Sequence, residues 1–257
     1  MTLLESFGVA LGVLLFAATA VWSLSVRLHN VAIVDILWGP MFLVAALCYA
    51  ATQSGGPRTL IVLGLVAIWA LRLAVYLTVR NWGAGEDRRY RAIRARNEPG
   101  FAWKSLYLIF GFQAALAALV SLPLLGAIAG EAPLGGFDAA GVALWAIGFY
   151  FEAVGDWQLA RFKADPANRG KVMDRGLWRY TRHPNYFGDC CVWWGFYLLA
   201  VGAGAWWSLP GPVLMTVLLL RVSGVALLER DLGARRPGYA DYIERTSAFF
   251  PWPPRRR

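Results

Sequence analysis

The chain contains 257 residues, of which 58% are hydrophobic and 16% are charged, and its formal net charge is +9 at pH 7. A soluble domain is usually about 45–50% apolar and about 25% charged, and a disordered chain requires low hydrophobicity, so the composition excludes both classes and indicates an integral membrane protein. The basic residues cluster between apolar runs rather than along one soluble face, which argues against nucleic acid as a partner.

Seven stretches are long and apolar enough to be transmembrane helices, since a helix crosses the hydrocarbon core with about 20 residues. In chain order they are residues 3–25, 31–52, 59–80, 105–129, 137–160, 187–204 and 207–228. The first stretch has no basic segment before it and no clear cleavage site, so we expect a retained span rather than a cleaved signal peptide. We therefore predict an all-α membrane protein in which residues 1–257 form a single bundle of seven helices.

Lysine and arginine are distributed asymmetrically between the predicted spans. Residues 80–104, 161–185 and 229–257 contain seven of them each, whereas the connections on the opposite side contain only Arg58. Because cytoplasmic loops carry the excess of positive residues, this pattern places the N-terminus outside and the C-terminus in the cytoplasm.

Six of the charged residues inside the predicted spans are candidate functional groups, since a charge there costs about 2.5–3.5 kcal/mol and usually faces the bundle interior or a cavity. They are Asp35, Arg72, Glu152, Asp156, Asp189 and Arg221. Asp35 and Arg72 have opposite charges, so one interpretation is an internal ion pair that only fixes helix packing. The three acids of the fifth and sixth spans repel one another. They are therefore expected to contact cationic or hydroxyl groups, which a basic loop or a ligand can supply.

The stretch DRGLWRYTRHPNYFGD, residues 174–189, combines arginine, aromatic and amide side chains at the start of the sixth predicted span. Arginine binds phosphate in a bidentate manner, and tryptophan or tyrosine stacks on a flat base. Asn185 and Asp189 lie one helical turn apart, so both can contact one ligand. We interpret this stretch as a ligand site rather than only a basic loop with an aromatic belt.

Metal ligands and the dinucleotide motif of soluble enzymes are missing from the sequence. The chain has two histidines, with no further histidine or cysteine at ligand spacing, so we expect no metal site. No G-x-G-x-x-G follows a strand pattern, which excludes a Rossmann domain but not a dinucleotide bound by another scaffold.

Two runs carry a family resemblance: GLWRYTRHPNYFGD at 176–189 and LLERDLGARRPGYADYIERTSAFFPW at 227–252. Together they resemble the C-terminal domain of the steroid 5-alpha-reductase family, in particular bacterial members of unassigned function, and the related sterol C14- and C7-reductases. The resemblance covers residues 150–252 strongly and the first half only through VDILWG at 34–39 and R-x-x-x-Y in the third span. It implies a multi-pass protein, of the inner or plasma membrane if the chain is bacterial, that binds NADPH at its cytoplasmic side mostly through residues 150–252.

The resemblance also implies which residues of this chain bind the cofactor. Asp156 and Lys163 correspond to positions near adenosine and phosphate, and the run around Asn185 to positions near ribose and nicotinamide. The full set of expected cofactor-binding residues is Asp156, Lys163, Trp178, Tyr180, Arg182, His183, Asn185, Tyr186, Asp189, Arg221, Asp231 and Tyr242.

The substrate side follows the same resemblance. Asp35 lies where the mammalian steroid enzymes have a glutamate that contacts the substrate carbonyl, so Asp35 is the expected catalytic acid, with Tyr76 as the reserve donor. Trp38, Trp69 and Arg72 are the expected substrate-binding residues. Trp69 stands where the family has a tyrosine, and Val34 stands where the steroid enzymes have glutamine. These departures leave the physiological substrate open, and the sequence also leaves the oligomeric state open.

The expected reaction is NADPH-dependent reduction of the carbon–carbon double bond of a membrane-soluble enone, such as a 3-oxo-Δ4-steroid or a similar lipid. Hydride addition places negative charge on the carbonyl oxygen, and a carboxyl group that burial keeps protonated can stabilise it. The alternative is a membrane methyltransferase of the isoprenylcysteine or phospholipid type that uses S-adenosylmethionine and shares the R-H-P-x-Y turn. Glu229 and Arg230 stand where those enzymes usually have two acids. A lipid-binding bundle without enzymatic activity is the third possibility.

Overall fold

The computed structural model describes residues 1–81, 83, 85–222 and 238–255. Within these ranges the chain is helical, and no β-strand is formed. The nearest approach to sheet structure is an isolated bridge between Thr181 and Ser247. The all-α prediction is therefore confirmed for this part of the chain.

The described helices divide between the two halves of the chain. The first half contains α1 (Leu3–Leu28), α2 (Ile33–Thr52), α3 (Arg58–Asn81), α4 (Arg88–Asn97), α5 (Phe101–Ser105), α6 (Phe112–Val120) and α7 (Leu122–Ala129), with a π-helical turn at Leu106–Gly111 joining α5 to α6. The second half contains α8 (Gly136–Ala164), α9 (Pro184–Gly202), α10 (Pro210–Val217), a π-helical turn at Leu218–Val222 and α11 (Tyr239–Arg245).

Within the described residues, five helical stretches are long and apolar enough to cross a membrane. They are Leu3–Leu28, Ile33–Thr52, Arg58–Asn81, Phe101–Val120 and Gly136–Ala164. A shorter apolar stretch covers Trp206–Val222. The protein is thus a helical, multi-pass membrane protein by the length and composition of its helices.

The fourth of these stretches differs from the predicted span at 105–129, because the helix is interrupted at Ser121. Pro123 lies in the first turn of α7, where its missing amide hydrogen costs no hydrogen bond and its ring does not clash with a preceding turn. The predicted sixth span corresponds to α9, and the predicted seventh, 207–228, extends past the described residues at Val222. The count of seven spans and their orientation remain predictions.

Contacts within the chain group the residues into two compact units, so each is described by itself. Unit 1 is Met1–Leu134 with Ala200–Pro210, and unit 2 is Gly135–Leu199 with Gly211–Arg257, considered over their described residues. That residues 1–257 form a single domain remains a prediction.

In unit 1, α2 and α3 pack closely at Gly39. A Cβ atom added there would lie 2.9 Å from the Ala70 carbonyl oxygen, so only glycine permits this approach. Next to this contact the rings of Phe42 and Trp69, both fully buried, meet edge to face at 5.7 Å.

Arg58, the one basic residue on the predicted outer side, is fully buried in unit 1. Its guanidinium donates to the carbonyl oxygens of Ala132, Pro133 and Gly202 at 2.6, 2.9 and 2.7 Å. This charge is therefore part of the packing of unit 1 rather than a loop charge. The asymmetry of solvated positive charge between the two predicted sides is larger than the sequence count suggests.

In unit 2, α8 and α9 are antiparallel and approach through glycines spaced seven residues apart. A Cβ atom on Gly148 would lie 2.5 Å from the Gly188 carbonyl oxygen, and one on Gly141 would lie 2.8 Å from that of Gly195. Small residues at such spacing let the backbones of membrane helices come close. The pairing holds the start of α9 against the last turns of α8, where five of the twelve predicted cofactor residues lie: Asp156, Lys163, Asn185, Tyr186 and Asp189.

Candidate functional site

The acid cluster of unit 1 consists of Asp35, Arg89, Tyr90 and Gln113. The Tyr90 hydroxyl donates to Asp35 Oδ1 at 2.5 Å, and Arg89 Nη2 lies 3.2 Å from Asp35 Oδ2. Gln113 Nε2 donates to the Tyr90 hydroxyl oxygen at 3.3 Å. Both carboxylate oxygens of Asp35 are thus bound, one by a neutral phenol and one by a cation.

The ion pair of Asp35 with Arg72, one interpretation of the sequence, is not the pairing that forms. The cation that binds Asp35 comes instead from α4, which follows α3 by a short connection. Arg72 lies with its guanidinium carbon 6.0 Å from the centroid of the Tyr76 ring, and that of Arg80 lies at 5.8 Å. Tyr76 is therefore an aromatic partner of two arginines on its own helix.

Trp38 and Trp69, the expected substrate-binding residues, belong to one aromatic group around Phe42. The rings of Trp38 and Phe42 meet edge to face at 5.0 Å. Trp69 is fully buried, whereas Trp38 is partly exposed. Trp38 is thus the one of the two that retains surface for another molecule.

Tyr90 is a residue that the sequence analysis did not select. It lies in the run Arg88–Asn97, which carries five arginines and looks like an ordinary basic loop. Burial of the Tyr90 phenol, together with the neighbouring Asp35 carboxylate, raises the pKa of Tyr90 well above its usual value. Tyr90 therefore keeps its proton throughout the physiological pH range and is a donor.

The position of α4 is fixed by Glu86 and Asp87, which precede it. Asp87 caps α4 by accepting from the Arg89 amide at 2.8 Å. Glu86 accepts from the Val31 amide at 2.9 Å and from two nitrogens of Arg94 at 2.9 and 2.7 Å. Burial alone would raise the pKa of Glu86, but the hydrogen bonds from Arg94 and Val31 outweigh it and lower that pKa. These ionic bonds connect α4 to the start of α2, and so place Tyr90 beside Asp35.

The cofactor cluster, as we call the predicted cofactor residues of unit 2, is assembled where α8 meets the start of α9. Asn185 Nδ2 donates to Asp156 Oδ1 at 3.1 Å. The indole nitrogen of Trp178 donates to the Gly155 carbonyl oxygen at 3.0 Å. The Tyr242 hydroxyl donates to the Trp178 carbonyl oxygen at 2.5 Å. Four residues selected from the sequence therefore lie in one connected group.

Other predicted members surround this group with different exposure. His183 is buried and its ring stacks on that of Tyr186, with centroids 5.6 Å apart. Asp189 lies one turn beyond Asn185 and is partly buried. Lys163, at the end of α8, is exposed.

Of the four remaining predicted members, one is buried, two are exposed and one lies outside the described residues. Arg182 is buried, and its Nη1 donates to the carbonyl oxygens of Ile243 and Thr246 at 3.1 and 2.6 Å. Tyr180 and Arg221 are exposed, and Asp231 lies outside the described residues. Arg182 thus holds the C-terminal segment, a structural task that the sequence did not indicate.

The C-terminal segment is bound along the residues that lead into α9. The Thr181 hydroxyl donates to the Phe249 carbonyl oxygen at 2.8 Å, and the Arg182 amide donates to that of Ser247 at 2.9 Å. The Trp252 amide donates to the Tyr180 carbonyl oxygen at 2.9 Å. This backbone pairing supports the cofactor cluster with a segment about 65 residues further along the chain. No local sequence pattern indicates that the two segments meet.

Chemically, the cofactor cluster presents carboxylate, amide and aromatic groups. Buried Glu152 and Asp156 add hydrogen-bond acceptors for hydroxyl groups, and Asn185 supplies both a donor and an acceptor. Among the described residues, no group of three or more histidine, cysteine, aspartate or glutamate side chains is arranged to hold a metal ion.

The helices and the two polar clusters define a multi-pass helical membrane protein with ionisable groups inside its spans. A protein family described as "Protein of unknown function (DUF1295)" matches residues 21–246, and the chain belongs to this family. A curated relative, "Uncharacterized protein C594.04c" of Schizosaccharomyces pombe, is 26% identical over 270 residues, covering 90% of this chain and 75% of the relative. No solved structure matches the chain.

Proposed function

We propose that the protein is an NADPH-dependent reductase that saturates the carbon–carbon double bond of a membrane-soluble enone, such as a 3-oxo-Δ4-steroid or a similar lipid. The observation that carries the proposal is the partly buried hydrogen bond from Tyr90 to Asp35 at the start of a membrane helix. A phenol held by a carboxylate is a group that can stabilise a developing enolate. The DUF1295 family is also loosely related to steroid 5-alpha-reductase-like proteins.

The acid cluster supplies the donor in this proposal. NADPH, when bound, supplies the hydride that adds to the β-carbon of the enone, and negative charge then develops on the carbonyl oxygen. Arg89 pairs with Asp35, and the proposal therefore assigns the donor role to Tyr90 rather than to Asp35. Before the substrate binds, Asp35 holds the Tyr90 hydroxyl, and when the enone binds this hydroxyl turns its hydrogen to the carbonyl oxygen. The enolate then takes one proton from water at its α-carbon, so the product has gained one hydride and one proton.

The cofactor cluster supplies the groups for the dinucleotide. The carboxylate of Asp156 suits ribose hydroxyl groups, and the amide of Asn185 suits either ribose or the nicotinamide amide. Exposed Lys163 and its basic neighbours suit the 2′-phosphate that distinguishes NADPH from NADH.

A direct experiment tests the function. Purified full-length protein in detergent is mixed with NADPH and progesterone or a long-chain enone, and the loss of reduced nicotinamide absorbance is compared with the mass of the product. The proposal requires a product that has gained two hydrogens at the double bond. Binding of S-adenosylmethionine without binding of NADPH would contradict it and favour a methyltransferase.

Asn185→Ala is expected to weaken NADPH binding by roughly 10- to 150-fold, since a hydrogen bond that involves a charged group contributes about 1.5–3 kcal/mol. Isothermal titration or fluorescence of the bound reduced nicotinamide measures the affinity. Asn97→Ala is the matched control, because the Asn97 side-chain amide donates to the Ile93 carbonyl oxygen within α4. Equal NADPH affinity in both variants would leave Asn185 with a packing role.

We also propose that all seven predicted spans cross the membrane, with residues 80–104, 161–185 and 229–257 in the cytoplasm. Cys48, Cys190 and Cys191 are first replaced, and single cysteines are then introduced at exposed positions. Ala92→Cys and Ala167→Cys are expected to resist an impermeant thiol reagent in intact cells, and Ala132→Cys to react. Labelling at Ala92 or Ala167 would overturn this topology.

A further inference from the structure

The C-terminal segment of unit 2 forms a cavity that the proposed reaction does not use. Its volume is about 460 Å³, within the range of small-molecule sites, about 300–1,000 Å³. The side chains that give it chemical character are Arg182, Glu244, Arg245, Trp252 and Arg255. We call it the tail cavity.

Positive charge dominates the tail cavity, because three arginines line it against one glutamate. Arg182 is held rigidly by two backbone carbonyl oxygens. The Arg255 amide donates to the Arg245 carbonyl oxygen at 3.0 Å, which brings two further arginines together. Arg245 is 41% exposed, and its ion pair with Asp174 is long, at 3.6 Å. Such a pair contributes little, so Arg245 can rotate toward an anion.

Exposed apolar side chains border the same cavity. Trp252, in its lining, is 71% exposed, and nearby Phe250 is 70% exposed. Ile243, also in the lining, is exposed as well. Aromatic side chains beside basic ones are typical of the membrane–water interface, where ring and charge contact acyl chain and headgroup together. A soluble anion would leave these rings in water.

We propose that the tail cavity binds the phosphate-ester headgroup of an anionic membrane lipid. The guanidinium groups of Arg245 and Arg255 would hold the phosphate oxygens in bidentate bonds, and Trp252 would lie against the glycerol and upper acyl chain. The inference rests on the proposed cytoplasmic position of the C-terminal segment and is independent of the reductase activity.

The test compares lipids bound to the purified full-length protein by native mass spectrometry. Phosphatidylglycerol and phosphatidylcholine with the same acyl chains are supplied in equal amounts, and glycerol 3-phosphate is added as a soluble competitor. The double variant R245Q/R255Q is expected to lose phosphatidylglycerol affinity by at least about tenfold. R91Q/R96Q is the matched control, because it removes two exposed arginines from α4.

The outcomes separate the possible sources of the phosphate. Selective retention of phosphatidylglycerol by the native protein and by R91Q/R96Q, but not by R245Q/R255Q, is the expected result. Equal loss in both double variants would show an effect of overall charge and overturn the proposal. Displacement by millimolar glycerol 3-phosphate would identify a soluble phosphate as the ligand and overturn the lipid assignment. Thermal unfolding of each variant shows that the bundle is folded, and NADPH affinity reports separately on the proposed function.

Discussion

Tyr90→Phe is expected to slow enone reduction by roughly 10²- to 10³-fold, the usual cost of removing a donor to a developing oxyanion. NADPH affinity should be unchanged, because the Tyr90 hydroxyl is proposed to contact the substrate carbonyl and not the dinucleotide. The ring is retained, so the packing of α4 is preserved. Steady-state kcat and the NADPH dissociation constant, measured on the same preparation, distinguish the two effects.

Two further variants sharpen this test. Tyr76→Phe is the matched control, since Tyr76 is the donor that the sequence suggested and its ring lies beside Arg72 and Arg80. It should turn over at nearly the native rate. Asp35→Asn keeps a hydrogen bond to Tyr90 but removes one of the two carboxylates that pair with Arg89, so both kcat and thermal stability should fall. If Tyr90→Phe turns over at the native rate, or if Tyr76→Phe loses much of its kcat, Tyr90 is not the donor. Tyr76 on α3 then becomes the candidate.

The fold could be predicted from the sequence where the information is local. Hydropathy and length identified the first three helices almost to the residue: 3–25, 31–52 and 59–80 were predicted, against Leu3–Leu28, Ile33–Thr52 and Arg58–Asn81. Each of these helices is defined by its own apolar residues, because every backbone polar group in lipid must be satisfied within the helix. The interruption at Ser121 was missed because the apolar run continues through it without a polar break.

The acid cluster could not be predicted in full, because its contacts are distant in the sequence. Tyr90 and Asp35 are 55 residues apart, and Tyr90 is surrounded by arginines that are explained equally well by a cytoplasmic loop. A buried acid in a span does indicate that a partner exists. Which residue is the partner of Asp35 depends on how Glu86 and Asp87 fix the position of α4. That position follows from side-chain contacts and not from the periodicity of the sequence.

The cofactor cluster was predicted more completely, since helix periodicity and the family resemblance both select residues near the start of α9. The contact between Asn185 and Asp156 nevertheless depends on how closely α8 and α9 approach. Gly141, Gly148 and Gly155 repeat at intervals of seven residues, a signal that was visible in the sequence and was not used. It predicts a close helix pair.

Gly148→Ala is therefore expected to destabilise the protein by about 1–3 kcal/mol or more, the usual cost of overpacking a tight interface. The added Cβ would lie 2.5 Å from the Gly188 carbonyl oxygen and 2.6 Å from the Val192 amide nitrogen. These are backbone atoms, so no side chain can rotate away, and α8 and α9 must separate. Separation would also stretch the bond from Asn185 to Asp156, so NADPH affinity should fall together with the midpoint of thermal unfolding in detergent.

The matched control is Gly64→Ala on α3, where an added Cβ meets no atom within 4 Å. Alanine has the higher helix propensity by about 0.8–1.0 kcal/mol in water, so this change should be neutral or stabilising. The Asn185→Ala variant separates the two consequences of Gly148→Ala, because it removes the polar contact while leaving the glycine approach intact. If Gly148→Ala and Gly64→Ala unfold at the same temperature, the close approach of α8 and α9 is wrong, and with it the geometric basis for placing Asp156 beside Asn185.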